Sequence, residues 1–383
     1  MTEQPTSPPG SRRRPLVLLL FGGRSSEHGI SVVTAGAVLR AIDRTKYDVL
    51  PVGITQDGRW VLTADDPGRM AMADRRQPTV EQLTDTGRGT VTVSVDPTDR
   101  TAVRGERGTE PKVLGEVDVV FPVLHGPYGE DGTVQGLLEL SGIPYVGAGI
   151  LASAVGQDKE YMKRVFSSFG LSVGPYLVIR PREWQSDAAG ARARIHRFAD
   201  GYGWPLFVKP ARAGSSIGIT RVEGPPGLED AIAEAHRHDA KIIVEALVQG
   251  REIECGVLEF PEGPRASVPA EIPAPGTGAY YDFTAKYLES TPGVVPAALT
   301  DSQTSEVRRL ALKAFDAASC EGLVRADFFL TAEGQFVINE INTMPGFTPV
   351  SMYPQMWQAS GIGYGELVDR LLQAALRRTT GLR

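Results

Sequence analysis

Residues Val324 to Met352, VRADFFLTAEGQFVINEINTMPGFTPVSM, constrain the chain more than any other stretch. Apolar and polar positions alternate, break at Ala332-Glu333-Gly334, and alternate again to Asn342, which predicts a β-hairpin. Arg325 and Asp327 are two apart on the first strand, and Glu340 and Asn342 are two apart on the second. Because side chains on a strand repeat every second residue, each pair shares one face. Two carboxylates and an amide oxygen are hard donors of the kind Mg²⁺ takes, with substrate phosphates completing the shell. Arg325 adds a fixed cation for developing negative charge. A solvated outer face would accommodate any one of these residues. The set points instead to a site, because it runs into Asn342-Thr343-Met344-Pro345-Gly346, a turn whose Gly346 offers a bare backbone N–H.

Composition narrows the class. With 383 residues, 42% hydrophobic and 22% charged, the chain is long enough for two or three globular domains. A net charge of −6 argues against a nucleic-acid partner. Cys255 and Cys320 lie in apolar surroundings without metal-ligand spacing, as expected of buried free thiols in a reducing compartment. No apolar run approaches the roughly 20 residues of a membrane span. The basic triplet Arg12-Arg13-Arg14 and the apolar run after it lack the cleavage site of a signal peptide, so Leu16 to Phe21 is expected as a buried first strand behind a disordered tail of residues 1–14.

That strand ends in Gly22-Gly23-Arg24-Ser25-Ser26-Glu27-His28, followed by an Ala/Val-rich helix, which is the opening of a βαβ unit with ligands expected at the strand's carboxyl end. Glu27 falls at a helix N-terminus, where the dipole alone would favour it. A second strand covers Asp48 to Ile54. The polar region 63–115 reads as an insertion with a small hairpin or long loops. Val117 to Leu124 then delivers His125 at another strand end, ahead of Gly129-Glu130-Asp131-Gly132. A boundary near Gly147 precedes a helix with Gln157-Asp158-Lys159-Glu160. Farther on, Val208-Lys209-Pro210 runs into Ala213-Gly214-Ser215-Ser216-Ile217-Gly218, a turn with amides and hydroxyls suited to phosphate oxygens or to a plain hairpin. It is not a Walker A loop, since the lysine precedes the glycines. Glu245 ends a strand and Glu252 begins the next.

Lys159, the Val208 to Gly218 segment, Glu245 with Glu252, and the Arg325/Asp327/Glu340/Asn342 hairpin resemble the ATP-grasp fold. The glycine turn with Glu27, His125-Gly126 with Gly129 to Gly132, Tyr281-Asp282-Phe283-Thr284-Ala285-Lys286-Tyr287, and Asn342 to Thr348 together resemble the D-alanine–D-alanine ligase family. The resemblance spans about Leu16 to Leu376 in the family's order, with no motif to guide residues 63–115 and with Pro127-Tyr128 where a more glycine- or arginine-rich pair is usual. It implies an α/β chain of ATP-grasp type. A Rossmann-like parallel-sheet domain at residues 15–147 would be followed by a central subdomain at 148–248 and a C-terminal subdomain at 249–383 carrying the metal site and a lid loop.

The resemblance also implies cytoplasmic, ATP-dependent joining of two D-alanine molecules through an acyl phosphate. Asp327, Glu340 and Asn342 would hold two Mg²⁺ or Mn²⁺ ions, with K⁺ a further candidate cation. Lys159, Lys209 and Lys286 would meet phosphate oxygens, with Ser216 and its loop amides covering them. Glu245 and Val248 would meet adenine, and Glu252 the ribose. Arg325 and the Gly346 N–H would form an oxyanion hole. Glu27 would bind the first D-alanine's ammonium, His125 would orient that substrate, and Ser351 with the Met352 amide would hold the second carboxylate. Glu27, Ser215 and Tyr287 would form a hydrogen-bonded set joining the substrate turn to the lid at Tyr280 to Pro292. ATP and D-alanine are the implied partners, with a homodimer and with neither nucleic acid nor membrane. Three readings compete: a D-alanine–D-lactate ligase, for which Phe rather than Tyr287 is the resembling residue; another ATP-grasp ligase, which has no reason to carry the Glu27 and His125 motifs; and a non-catalytic nucleotide-binding regulator, which would be expected to lack a metal ligand or Arg325.

Overall fold

A computed structural model describes residues 13–72, 76–84, 89–106, 109–273 and 293–379. Lys286, Tyr287 and the rest of the expected lid loop lie outside the described residues.

The first sheet is built on β1 (Leu16–Gly22), a fully apolar strand that pairs in parallel with β2 (Asp48–Ile54) on one side. A continuous hydrophobic run of this kind suits a strand covered on both faces. An antiparallel edge strand, β3 (Trp60–Leu62), completes that side. The expected insertion folds further than a hairpin: β4 (Thr90–Val93), β5 (Thr101–Gly105) and β6 (Lys112–Glu116) form a three-stranded antiparallel sheet. Its Val91 and Ala102 are buried against Leu18, Leu20 and Val120 of the first sheet, a contact local alternation cannot foretell. The chain then returns as β7 (Val119–Pro122), parallel to β1 on its other side.

A four-stranded antiparallel sheet follows, made of β8 (Tyr176–Ile179), β9 (Leu206–Pro210), β10 (Thr220–Val222) and β11 (Ile242–Ala246) in the order β10-β9-β11-β8. Helices Ala188–Tyr202 and Leu228–His238 bury their apolar stripes, including Ile195 and Ile232, on one of its faces. The third sheet contains β12 (Arg251–Phe260), β13 (Gly263–Ala266), β14 (Ala270–Ile272), β15 (Leu323–Leu330) and β16 (Phe336–Asn342), all antiparallel. One face, with Ile253, Cys255, Val257, Val324, Ala326 and Phe328, packs under helix Asp301–Ala317. The other carries the charged residues of the predicted hairpin. Cys255 and Cys320 are free and buried, and burial pushes the Cys255 thiol up to about 12.

The first and third sheets share a core. Helix Tyr364–Arg377 buries Leu367, Leu371 and Leu372 together with Phe121, Val38, Phe347, Tyr353 and Trp357. Phe121 and Phe347 meet edge to face with ring centroids 6.1 Å apart, so the first sheet and the turn after β16 are packed together. No described helix is long and apolar enough to cross a membrane. Since Leu371 is 1% exposed at this junction, Leu371→Ala is expected to cost about 2–5 kcal/mol in denaturant unfolding; a loss under about 1 kcal/mol would show that the helix does not fasten the sheets.

Candidate active site

The hairpin acids take their geometry from register. Arg325 lies directly opposite Asn342, and Asp327 opposite Glu340, across β15 and β16. On the other side of β15, Glu254 of β12 lies opposite Asp327. Three carboxylates therefore stand in one row across three strands. A register shift after Asp327 leaves Asn339 as the extra residue of a β-bulge. That extra residue keeps Ile338 and Ile341 both in the core while Asn339 and Glu340 both line the cleft, something strict alternation cannot do.

Cations balance this row. Arg325 donates from Nε to Asp327 Oδ1 at 2.8 Å and from its terminal nitrogen to Oδ2 at 2.7 Å, and its Nε is 3.2 Å from Glu254 Oε1. Lys159, at the start of helix Lys159–Ser168, donates to Glu340 Oε2 at 3.3 Å. Asn342, which lines a small recess beside the hairpin, donates its amide N–H to Asp327 Oδ2 at 2.9 Å and keeps its carbonyl oxygen as an acceptor. The donor set of Asp327, Glu340 and Asn342 fits a hard divalent cation. An octahedral ion takes more ligands than these three side chains supply, which leaves positions for other oxygen donors such as phosphates.

Two connected spaces meet at the hairpin. A cleft of about 530 Å³ runs between the second and third sheets and is lined by Lys209, Ser216, Glu245, Val248, Glu252, Asp327 and Glu340. A small polar recess of about 80 Å³ adjoins it, lined by Lys159, Lys209, Ser215, Ser216, Glu340 and Asn342. Ser215 and Ser216 have φ of 48° and 59°, left-handed values that few side chains adopt, so the loop presents a strained backbone at the recess. Glu245 is buried between Lys209 Nζ, 2.6 Å from Oε2, and Lys163 Nζ, 3.1 Å from Oε1. Burial pushes the Glu245 carboxyl up, but the two ammonium charges outweigh it and hold it at about 2.

The first sheet brings its own residues to the recess. Gly22 has φ 88° and a Cβ there would sit 2.3 Å from the Ile54 carbonyl oxygen, so only glycine turns the chain at the end of β1. Glu27 follows as the N-cap of helix His28–Ala41, yet its side chain does not cap. It accepts a hydrogen bond from the Ser215 hydroxyl instead, across two sheets. Gly126 has φ 72°, and a Cβ there would lie 3.0 Å from Glu27 Oε2, which places the buried His125-Gly126 turn against the same carboxylate. Ser351 is the N-cap of helix Met352–Ala359, and its hydroxyl accepts from the Thr348 N–H at 3.1 Å. A Cβ at Gly346 would lie 3.2 Å from that hydroxyl, so Ser351 and Gly346 are neighbours.

Sequence reasoning gave no role to three residues that the structure ties to the site. Glu254 shares a face with Glu252 by alternation, a signal that was present; its row with Asp327 depends on long-range register. Lys163 lies one helical turn beyond Lys159, again a readable spacing. Glu130 accepts from Gly126 N at 2.7 Å and from Met344 N at 3.1 Å, clamping the His125 turn to the turn after β16, and no local pattern announces that contact.

Residues 16–148 match the family described as D-ala D-ala ligase N-terminus, and residues 165–373 the one described as D-ala D-ala ligase C-terminus. The D-alanine--D-alanine ligase of Streptomyces avermitilis is 74% identical over 379 residues, covering 99% of this chain and 98% of its own. That of Rhodococcus opacus is 52% identical, covering 97% of this chain and all of its own length, 100%. Among solved structures, the D-alanine-D-alanine ligase from Coxiella burnetii superposes with a TM-score of 0.79 at 33% identity, over 95% of this chain and 94% of that one. The VanG D-Ala:D-Ser ligase from Enterococcus faecalis gives 0.78 at 31% identity, over 95% and 100%. Since family matches and full-length relatives cover nearly all of the sequence, the chain belongs to the D-alanine–D-alanine ligase family, on an ATP-grasp fold.

Proposed function

We propose that this chain joins two D-alanine molecules into D-alanyl-D-alanine for peptidoglycan precursors, with ATP cleaved to ADP and phosphate, in the cytoplasm. The observation that carries the reading is the Glu27–Ser215 hydrogen bond, which brings a substrate-type turn of the first sheet onto a phosphate-type loop of the second, beside the hairpin acids.

A carboxylate is a poor electrophile, so the first D-alanine must be activated. Its carboxylate oxygen bonds to the γ-phosphorus, the bond to the bridging oxygen breaks, and ADP leaves. The second D-alanine's neutral amine then adds to the acyl carbon, and the tetrahedral intermediate collapses with loss of phosphate. In this reading Glu27 holds the first ammonium and His125 orients that substrate. Lys159, Lys209 and Lys286 contact phosphate oxygens under the amides and hydroxyl of Ser216. Glu245 and Val248 take the adenine and Glu252 the ribose. Arg325 and the Gly346 N–H stabilise the oxyanion. Ser351 and the Met352 amide hold the acceptor carboxylate at a helix N-terminus. Ser215 and Tyr287 fasten Glu27 to the closed site, which excludes water from the acyl phosphate. Asp327, Glu340 and Asn342 would hold two Mg²⁺ or Mn²⁺ ions, which would supply Lewis-acid polarisation and a template for the phosphates.

The ester-forming alternative is not favoured: the ligase relatives at 71–74% identity over nearly the full chain are D-alanine--D-alanine ligases. The purified chain given Mg²⁺, ATP and D-alanine is expected to release phosphate and dipeptide in equal amounts; no dipeptide, or a product only when D-lactate is added, would contradict the reading. Glu340→Gln keeps shape but removes a charge the cation requires, so turnover is expected to fall by about two orders of magnitude or more with little change in melting temperature. Arg325→Met is expected to lose about 3 kcal/mol or more of transition-state stabilisation, read from kcat/KM for D-alanine, whereas an unchanged kcat/KM would remove Arg325 from the oxyanion hole.

A further inference from the structure

Lys163 is 3% exposed and lines the large cleft without a part in the reaction above. It comes from the same helix as Lys159, one turn later, so the two lysines share a helix face and reach different ends of the site. Lys159 reaches Glu340 at the polar recess, while Lys163 reaches Glu245 in the cleft. Glu245 thus has two lysines on it, one on each oxygen. They are not equivalent. Lys209 lines both the cleft and the recess, where Ser215, Ser216 and Asn342 gather, whereas Lys163 lines the cleft alone.

We propose that Lys163 is the standing countercharge of Glu245, a positioning residue that lets Lys209 turn to the nucleotide's phosphates while the buried carboxylate stays ionised for the adenine amine. The inference rests on the reading that Glu245 meets adenine and Lys209 meets phosphate. A buried carboxylate that loses its cation is strongly destabilised, so with a single lysine the base and phosphate ends of ATP would compete for it. With two, the adenine amine takes the place of Lys209 at Oε2 and Lys163 remains at Oε1. The geometry fits this division, with Lys209 on Oε2 at 2.6 Å and Lys163 on Oε1 at 3.1 Å, and Glu245 opposes the burial and the neighbouring Lys209 and Lys159 that lower the Lys163 ammonium's pKa.

The test separates the two ends of the nucleotide. Calorimetric titration with ADP plus Mg²⁺ and with adenosine, which has no phosphate to draw Lys209 away, is run on the wild-type chain, Lys163→Met, Glu245→Ala and the double variant Lys163→Met/Glu245→Gln. Lys163→Met is expected to weaken ADP by about 30-fold or more while adenosine changes by less than about threefold. The double variant, whose neutral amide needs no countercharge, is expected to regain about tenfold for ADP, and the KM for D-alanine is expected to stay at the wild-type value in Lys163→Met. Equal losses for adenosine and ADP, an unchanged ADP affinity, or no regain in the double variant would each overturn the proposal. If Lys163→Met does not fold by thermal melting, Lys163→Gln carries the same comparison. Glu245→Ala distinguishes the two failures: unchanged adenosine binding there removes adenine from Glu245 and both readings fall, whereas weakened adenosine binding with no Lys163→Met effect removes only the role of Lys163.

Discussion

The row Glu254–Asp327–Glu340 is the constraint on which the rest of the site depends. Neighbouring strands are about 4.8 Å apart, and like charges directly opposite one another destabilise a sheet. The row persists because Arg325 reaches both Asp327 and Glu254, and because the helix beginning at Lys159 docks where its first residue can meet Glu340. Docking that helix in turn brings Lys163 to Glu245. The N-terminus of the helix is fixed by Asp158, which accepts from the Glu160 and Tyr161 amides and pairs with the buried Lys241 at 2.6 Å. Charge balance at the hairpin and the position of the large cleft are therefore one packing problem.

Much of this was legible from local pattern. The period-two spacing of Arg325/Asp327 and Glu340/Asn342 foretold a paired hairpin, and the structure pairs those four residues with one another. The glycine turn before Glu27 and the strand leading to His125 placed both at the ends of parallel strands, as found. What local pattern could not reach was contact between distant segments. Glu254 and Asp327 are neighbours only through register between β12 and β15, Glu130 meets Met344 through the packing of two sheets, and the region after Thr63 gains its third strand by covering the first sheet. The bulge at Asn339 is a different kind of miss: alternation across Ile338 to Ile341 had to break for both isoleucines to be buried, and the sequence Ile-Asn-Glu-Ile records that break without saying which residue is extra.

The division of the site among three sheets gives each a separate task. The large cleft is built between the second and third, while the Glu27 turn of the first reaches Ser215 and its Gly126 turn is held by Glu130. The likeness to a D-Ala:D-Ser ligase over 95% of the chain shows how far this scaffold is shared among proteins whose named acceptors differ.

The central proposal is that the hairpin's acids bind a cation together with the phosphates of a nucleotide, because Asp327, Glu340 and Asn342 supply fewer oxygen donors than an octahedral ion takes. Calorimetric titration of Mg²⁺ into the chain, with and without saturating ADP, measures that coupling directly. The account predicts little or no Mg²⁺ binding without nucleotide, and an affinity at least about tenfold higher with ADP present, with the reciprocal gain for ADP. Tight Mg²⁺ binding to the chain alone, unchanged by ADP, would contradict it.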